Sequence, residues 1–274
     1  MRPILVIGDV ISDVYLQGKC IGIANEDPVL RFRPNDRSKV INGGDEFVAN
    51  SIRSFGTQHV ILIPTTTTSI FRYADSRYDQ TVFTVDHEPE INLDVHSQLV
   101  DALKDMPCAI VVWDDERLPD IHWQTIATTL RGFYLQHYTV DTEHIIIADS
   151  PNARWNRSWL SYWKTNSDAP PFVATGITPT RIITGAHQVI IDDAFKPVVY
   201  PVNVVDSPVD TIGAGDVFLS VFTVLMAEGH SEDVATKAAI RFASESVNHR
   251  GCYMPPRSSL TCPSPPPSLS FLTP

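Results

Sequence analysis

Positive charge is scarce in this chain: 21 Lys and Arg stand against 32 Asp and Glu, a formal net charge of -11. That balance excludes a surface built mainly for nucleic acid or anionic membrane, while leaving room for a local basic pocket. Cysteine is equally sparse. Cys20, Cys108, Cys252 and Cys262 lie far apart, with no CxxC pair and no histidine at ligand spacing. Neither a zinc site nor a disulfide framework fits that scatter, and a reducing cytoplasm does. Long hydrophobic runs are missing too. The opening "MRPILVIGDV" is too short for a signal peptide or a membrane span, and no later run reaches bilayer length, so a cytoplasmic location is expected. No segment repeats. What is present is 43% hydrophobic content over 274 residues, enough to bury a sizeable core in one large domain or two small ones.

The apolar residues fall into short runs. "PILVIGDV", "HVILI", "CAIVVWDD", "HIIIADS" and "RIITG" read as strands buried on both faces. Between them, "GDEFVANSIRSFG", "NLDVHSQLVDALKD" and "LPDIHWQTIATTLRG" carry helical spacing, so the alternation predicts an α/β fold with a mostly parallel central sheet flanked by helices. Two of the strands end in acids, at the edge where open α/β sheets place their ligands. The polar-alternating pieces "VYLQG" and "PVLRFRP", and a second set in "FRYADSRYDQTVFTVD", predict a small β-flap, near residues 14–41 and 68–87. The stretch 255–274 is rich in proline and serine and reads as a disordered tail after a single domain over 1–254.

One stretch joins permissive backbone to a helix. In "VDTIGAGDVFLSVF", Val209 to Phe222, apolar residues recur every three or four positions from Val217 until Gly229. Gly213, Ala214, Gly215 and Asp216 therefore form a helix N-terminus, where unpaired amides and the macrodipole suit an anion. Asp216 beside such an anion makes sense as a base that deprotonates a nucleophile attacking a phosphoryl group. The plainer alternative is that Asp216 caps the helix and the glycines make a tight turn.

"DTIGAGD" (Asp210 to Asp216) resembles the signature of the ribokinase, or PfkB, family of carbohydrate kinases. "GDVISDVYLQG", "GIANEDPVLRF", "GGDEFVANSIRSFG" and "SRYDQTVFTVDHE" are similar, in order, to the N-terminal motifs of the heptose-7-phosphate kinase branch. The resemblance implies a ribokinase-like fold with the flap as a lid, and ATP with Mg2+ as phosphoryl donor and counter-ion. It also implies transfer to the anomeric hydroxyl of a heptose 7-phosphate. Carried onto this chain, it makes Asp216 the catalytic base and the amides of Gly213, Ala214 and Gly215 the anion hole. Asp13, Gly43, Gly44 and Asp210 become substrate-binding positions. Phe47 stands where the family carries an asparagine, Ile70 or Phe71 where it carries a lysine, and relatives insert a strand and helix after "VILIPTTTT". "KTNSDAPPF" is read as the remnant of an Asn-x-x-Glu motif, which puts Asn166 and Asp168 near the metal. Two alternatives stay open: a non-catalytic relative that binds a sugar phosphate or nucleotide, and a kinase for another small alcohol such as a nucleoside or hexose. The partner expected is a small sugar or sugar phosphate, and the exposed flap edge suits pairing with its twin in a homodimer.

The aromatic residues are read as packing. His122 and Trp123 fall on a predicted helix, and the four-residue repeat of Trp155, Trp159 and Trp163 predicts another helix with one aromatic face. Asp114, Asp115 and Glu116 read as solvated carboxylates at a strand end.

Overall fold

The computed structural model of the chain describes residues 3–56, 59–78, 80–105, 110–114, 120–137, 146–149, 162–166, 180–192 and 197–259. Its first strand shows why the sheet forms. Ile4, Leu5, Val6 and Ile7 are all completely buried, yet they serve two different cores. Ile4 and Val6 join one apolar cluster and Leu5 and Ile7 the other, as the two-residue period of a strand demands. Helices must then cover both faces.

In chain order the N-terminal half comprises β1 (Ile4–Ile23), β2 (Leu30–Gly43), α1 (Gly44–Ser54), β3 (Val60–Asp75), β4 (Gln80–Asp86), β5 (Glu90–Ile91), α2 (Val95–Asp105), β6 (Ile110–Asp114) and α3 (Asp120–His137). The rest comprises β7 (Ile146–Asp149), β8 (Tyr162–Asn166), β9 (Thr180–Thr184), β10 (Gln188–Asp192), β11 (Val198–Pro201), α4 (Ala214–Ala227) and α5 (Glu232–Ser246). The described strands form one sheet in the order β11-β10-β9-β8-β7-β6-β1-β3-β4, with β2 attached to β1 and β5 to β3. The six from β3 to β9 along this path run parallel, whereas β10, β11, β4, β5 and β2 are antiparallel additions. The sheet is therefore mixed, with the predicted parallel centre.

One core joins α1, α4 and α5 to the sheet, and the other joins α2 and α3. α4 is apolar nearly all round, with Val217, Phe218, Leu219, Val221, Phe222, Val224 and Leu225 buried, which suits a helix enclosed between the sheet and its neighbours. α5, absent from the sequence reading, starts at Ser231, whose side chain accepts a 3.4 Å bond from the Val234 amide.

The flap is built differently from the expectation of separate short strands. β1 pairs with β6 only as far as Gly8↔Asp114, then exchanges that partner for β2 from Ile11↔Gly43 onward. β3 stays beside it throughout, from Ile4↔Val60 to Gly18↔Asp75. Core and flap are thus two halves of the same two strands, and "VILIP" passes into the flap with no helix between. Phe32, Tyr73 and Phe83 pack together on it, the last two stacked with centroids 4.3 Å apart. At its tip Asp75 is buried, bound by Arg77 at 2.6 Å and by the Cys20 amide at 3.0 Å. The Arg77 side chain, its amide and the Cys20 amide hold the Asp75 carboxyl far below the usual carboxylate range.

Two further expectations change. Trp163 lies in β8, paired with Ala148 and Arg181, so the tryptophan repeat is not one helix; Trp155 and Trp159 lie outside the described residues. A strand wins there because the "YWKTN" run fills the place between β7 and β9. Residues 255–259, assigned to the tail by composition, lie against the body. Pro255 is buried, and Arg257 bonds both the Phe55 carbonyl and Glu228, tying the end of α1 to the end of α4. Asp115, Glu116 and residues 260–274 lie outside the described residues. Among those described, no helix is long and apolar enough to cross a membrane.

Candidate active site

The site forms where β1 changes partner. Asp13 sits two residues past that exchange, opposite Ile41 of β2 and Ile70 of β3, and is only 3% exposed. A buried carboxylate requires a partner. Arg72 supplies it: its Nε donates to Asp13 Oδ1 at 2.6 Å. The arginine comes from the position opposite Tyr15 and reaches diagonally to Asp13. Asp13 Oδ2 points the other way, toward Gly43. A Cβ on Gly43 would stand 3.2 Å from this oxygen, and one on Gly44 would collide with the Asp9 carbonyl at 2.4 Å. Gly44 also has φ near +57°, so the diglycine answers both a close approach and a left-handed backbone. Asp9, four residues earlier on β1, is occupied within the core by the Thr66 hydroxyl at 2.5 Å and the Thr65 hydroxyl at 3.4 Å.

The second half comes from α4. Gly213 is its N-cap, in the left-handed region at φ 78°. Asp216 is therefore not the N-cap residue; it lies in the first turn, half-buried. The Ala214 amide reaches the Thr211 carbonyl only at 3.4 Å, and the end of the helix presents its amides to the site. Asp210 holds the loop in place. Its Oδ1 accepts from the Ile212 amide and its Oδ2 from the Gly251 amide, both at 3.0 Å. With both oxygens engaged by backbone, Asp210 acts as a brace between the turn and residues 251–252.

Cys252 joins the two halves. A Cβ at Gly213 would meet its Sγ at 2.9 Å, and one at Gly43 would lie 3.8 Å from the same sulfur. Burial pushes the Cys252 thiol up to about 12, helped by the negative charges of Asp216, Asp13 and Asp210. Asp13 from one part of the sequence and Asp210 and Asp216 from another thus act on one neutral thiol. Burial likewise raises Tyr15 to about 12, with Asp210 next and Arg72 opposing. The sequence pointed to Asp13, Gly43, Gly44, Gly213, Ala214, Gly215 and Asp216, and the fold gathers them. It gave no role to Arg72, Tyr15 or Cys252. Arg72 was the nearest to being found, since it closes the very "TTSIFR" stretch in which a lysine was sought.

A cavity of about 460 Å³ opens beside the turn, lined by Thr184, Gly185, Val202, Phe218, Ala243 and Val247, with Thr211, Ala214 and Gly215 among its lining. The turn therefore borders both this apolar cavity and, at Gly213, Cys252. Asn166 ends β8 beside Thr184, while Asp168 lies outside the described residues. Among the described residues no three His, Cys, Asp or Glu groups are placed to hold a metal ion.

An α/β sheet with this flap and helix-end turn is the ribokinase-like fold. It superposes on ribokinase of Thermotoga maritima with a TM-score of 0.67 and 17% identity, covering 94% of this chain and 97% of that one. Residues 189–258 match the family described as pfkB family carbohydrate kinase. Locally the chain is 47% identical over 58 residues to bifunctional protein HldE of Helicobacter acinonychis, and 36% identical over 91 residues to ribokinase of Bacillus subtilis. Those stretches span 12% and 28% of the two proteins' lengths. Together these findings show the ribokinase-like fold over nearly the whole chain and a likeness to pfkB family carbohydrate kinases over residues 189–258.

Proposed function

We propose that the protein transfers the γ-phosphoryl group of ATP to a hydroxyl of a sugar or sugar phosphate. The observation that carries this reading is the position of the Gly213–Asp216 turn, which borders both an apolar cavity of about 460 Å³ and, at Gly213, Cys252 of the cluster with Asp13 and Gly43. The cavity suits a nucleotide base, and the phosphate chain then reaches the amides of the turn. The sugar lies on the opposite side, a hydroxyl bonded to Asp13 Oδ2 in the space that the missing side chain of Gly43 leaves. Asp216 takes the proton of the attacking hydroxyl as its oxygen bonds to phosphorus. The bond to the ADP oxygen breaks, and ADP carries away that electron pair. Prealigned amides at the turn stabilise the spreading negative charge without reorganising.

Asp210, read from sequence as a substrate contact, serves this site as the brace of its loop. Magnesium is the usual companion of ATP phosphates. The described residues do not amount to a protein site for it, so no step here runs through the ion, and Asn166 and Asp168 are candidate neighbours only. The substrate we favour is a heptose 7-phosphate, phosphorylated at its anomeric hydroxyl; the ordered N-terminal motifs and the short HldE likeness support it. The exposed flap residues Ile23, Val29, Leu30 and Val40 suit a homodimer formed flap to flap, and a cytoplasmic location accords with such a substrate.

The second reading, a binding protein without turnover, draws on Phe47. Its side chain packs into the core where a polar sugar contact is expected. Coupled detection of ADP release decides between them, with a panel of heptose 7-phosphate, fructose 6-phosphate, ribose and inosine. The kinase reading predicts release with at least one, strongest with the heptose phosphate. ATP binding with no release in any case favours the second reading.

A further inference from the structure

The phenol of Tyr15 is 5% exposed, and its hydroxyl is fully shut from water with no hydrogen-bond partner among the described residues. A buried hydroxyl left unpaired carries a desolvation cost that a fold normally avoids. Its surroundings are those of the site. Asp13 precedes it by two residues on the same face of β1, Arg72 stands opposite on β3 with its guanidinium 6.0 Å from the ring centroid, and the negative charge of Asp210 acts on the phenol. Arg72 contributes a second unused set of donors. Among the described residues only its Nε is engaged, although its side chain is 17% exposed.

Resting on the kinase reading above, we propose that Tyr15 is a substrate-contacting specificity residue. Its hydroxyl donates to an oxygen of the bound sugar phosphate, beside the free end of the Arg72 guanidinium. The hydroxyl remains protonated, and hence a donor, throughout the physiological range. The ring belongs to the length of β1 that has left the core for the flap, and in this proposal the flap strands shift to bring it into reach of an entering sugar. Asp13 then reads a hydroxyl of the substrate as acceptor, while Tyr15 and Arg72 read an oxygen as donors.

The test is Tyr15→Phe, which removes one oxygen and keeps the ring. Calorimetry is run with heptose 7-phosphate and with ATP, each on wild type and variant, together with melting in buffer alone. The inference predicts sugar-phosphate binding about tenfold weaker, ATP binding unchanged, and a melting temperature equal to or above that of wild type, because an unsatisfied group has been deleted. KM for the sugar should rise with kcat little changed. Equal sugar affinity, or a melting temperature lower by several degrees, overturns it and leaves the kinase reading intact. A wild-type protein that binds heptose 7-phosphate and none of fructose 6-phosphate, ribose or inosine keeps the test as stated. One that binds none of the four overturns this inference together with the reading it rests on.

Discussion

The two halves of β1 obey different rules. From Ile4 to Ile7 every side chain is completely buried, whereas from Lys19 to Ile23 most are exposed. The first half is fixed by two cores at once. The second is held by its neighbours in the flap, by an aromatic cluster and by the Asp75 clasp at the tip. Asp13 and Tyr15 lie between these regimes. The comparison teaches that the proposed base and helix-end turn belong to α4, packed in the same core as the first half of β1, while the proposed sugar contacts Asp13 and Tyr15 lie at the border where β1 leaves that core for the flap. Binding loops and lids come from such low-stability regions.

The sharpest way to break the comparison is to remove apolar bulk from each side. Phe222→Ala, in the middle of α4, should cost about 3–5 kcal/mol of unfolding free energy by urea titration. Val40→Ala, on the exposed flap, should stay within about 0.5 kcal/mol. Similar losses would mean that the flap is as fixed as the core. Next in size, Asp13→Ala should weaken sugar binding by roughly 1.5–3 kcal/mol, since a charged hydrogen bond is lost, and leave ATP binding in place. A parallel loss of both affinities would show that Asp13 supports the fold rather than the substrate.

Alkaline titration probes the junction itself. Cys252 and Tyr15 both have folded values near 12, above ordinary values of 9.0 and 10.0. The folded protein keeps protons that the unfolded chain releases, so the stability they contribute is full below pH 9 and falls as pH rises toward 12. Combining Cys252→Ser with Tyr15→Phe should flatten the fall of melting temperature across that window, and an unchanged slope would count against the burial described. The smallest effect expected is at the far end. Truncation after Pro256 removes Arg257, whose ion pair to Glu228 is partly exposed, so the cost should be about 1 kcal/mol, a shift of roughly 2 °C.

What could be read in advance follows the same division. Buried strands and the turn before α4 announce themselves through local pattern, because burial on both faces gives unbroken apolar runs and a helix end gives Gly-Ala-Gly-Asp. The flap strands were legible only as polar alternation, which hides that β1 and β3 continue into them. Partnerships across the chain had no local signal at all. Arg72 reaches Asp13 from 59 positions away and Gly251 reaches Asp210 from 41, and only the folded sheet brings them together. Trp163 shows the reverse error, a spacing of four that fits a helix in a segment that the sheet takes as a strand.

The proposed base is Asp216, in the first turn of α4, where Gly213 is the N-cap residue. The most direct measurement is kcat for Asp216→Asn beside its ATP affinity and melting temperature. The account predicts a fall in kcat of about 10²–10⁴-fold with the other two unchanged, since the amide keeps the shape and loses the base. A variant that turns over like wild type, or one that loses activity only because it melts early, would contradict it.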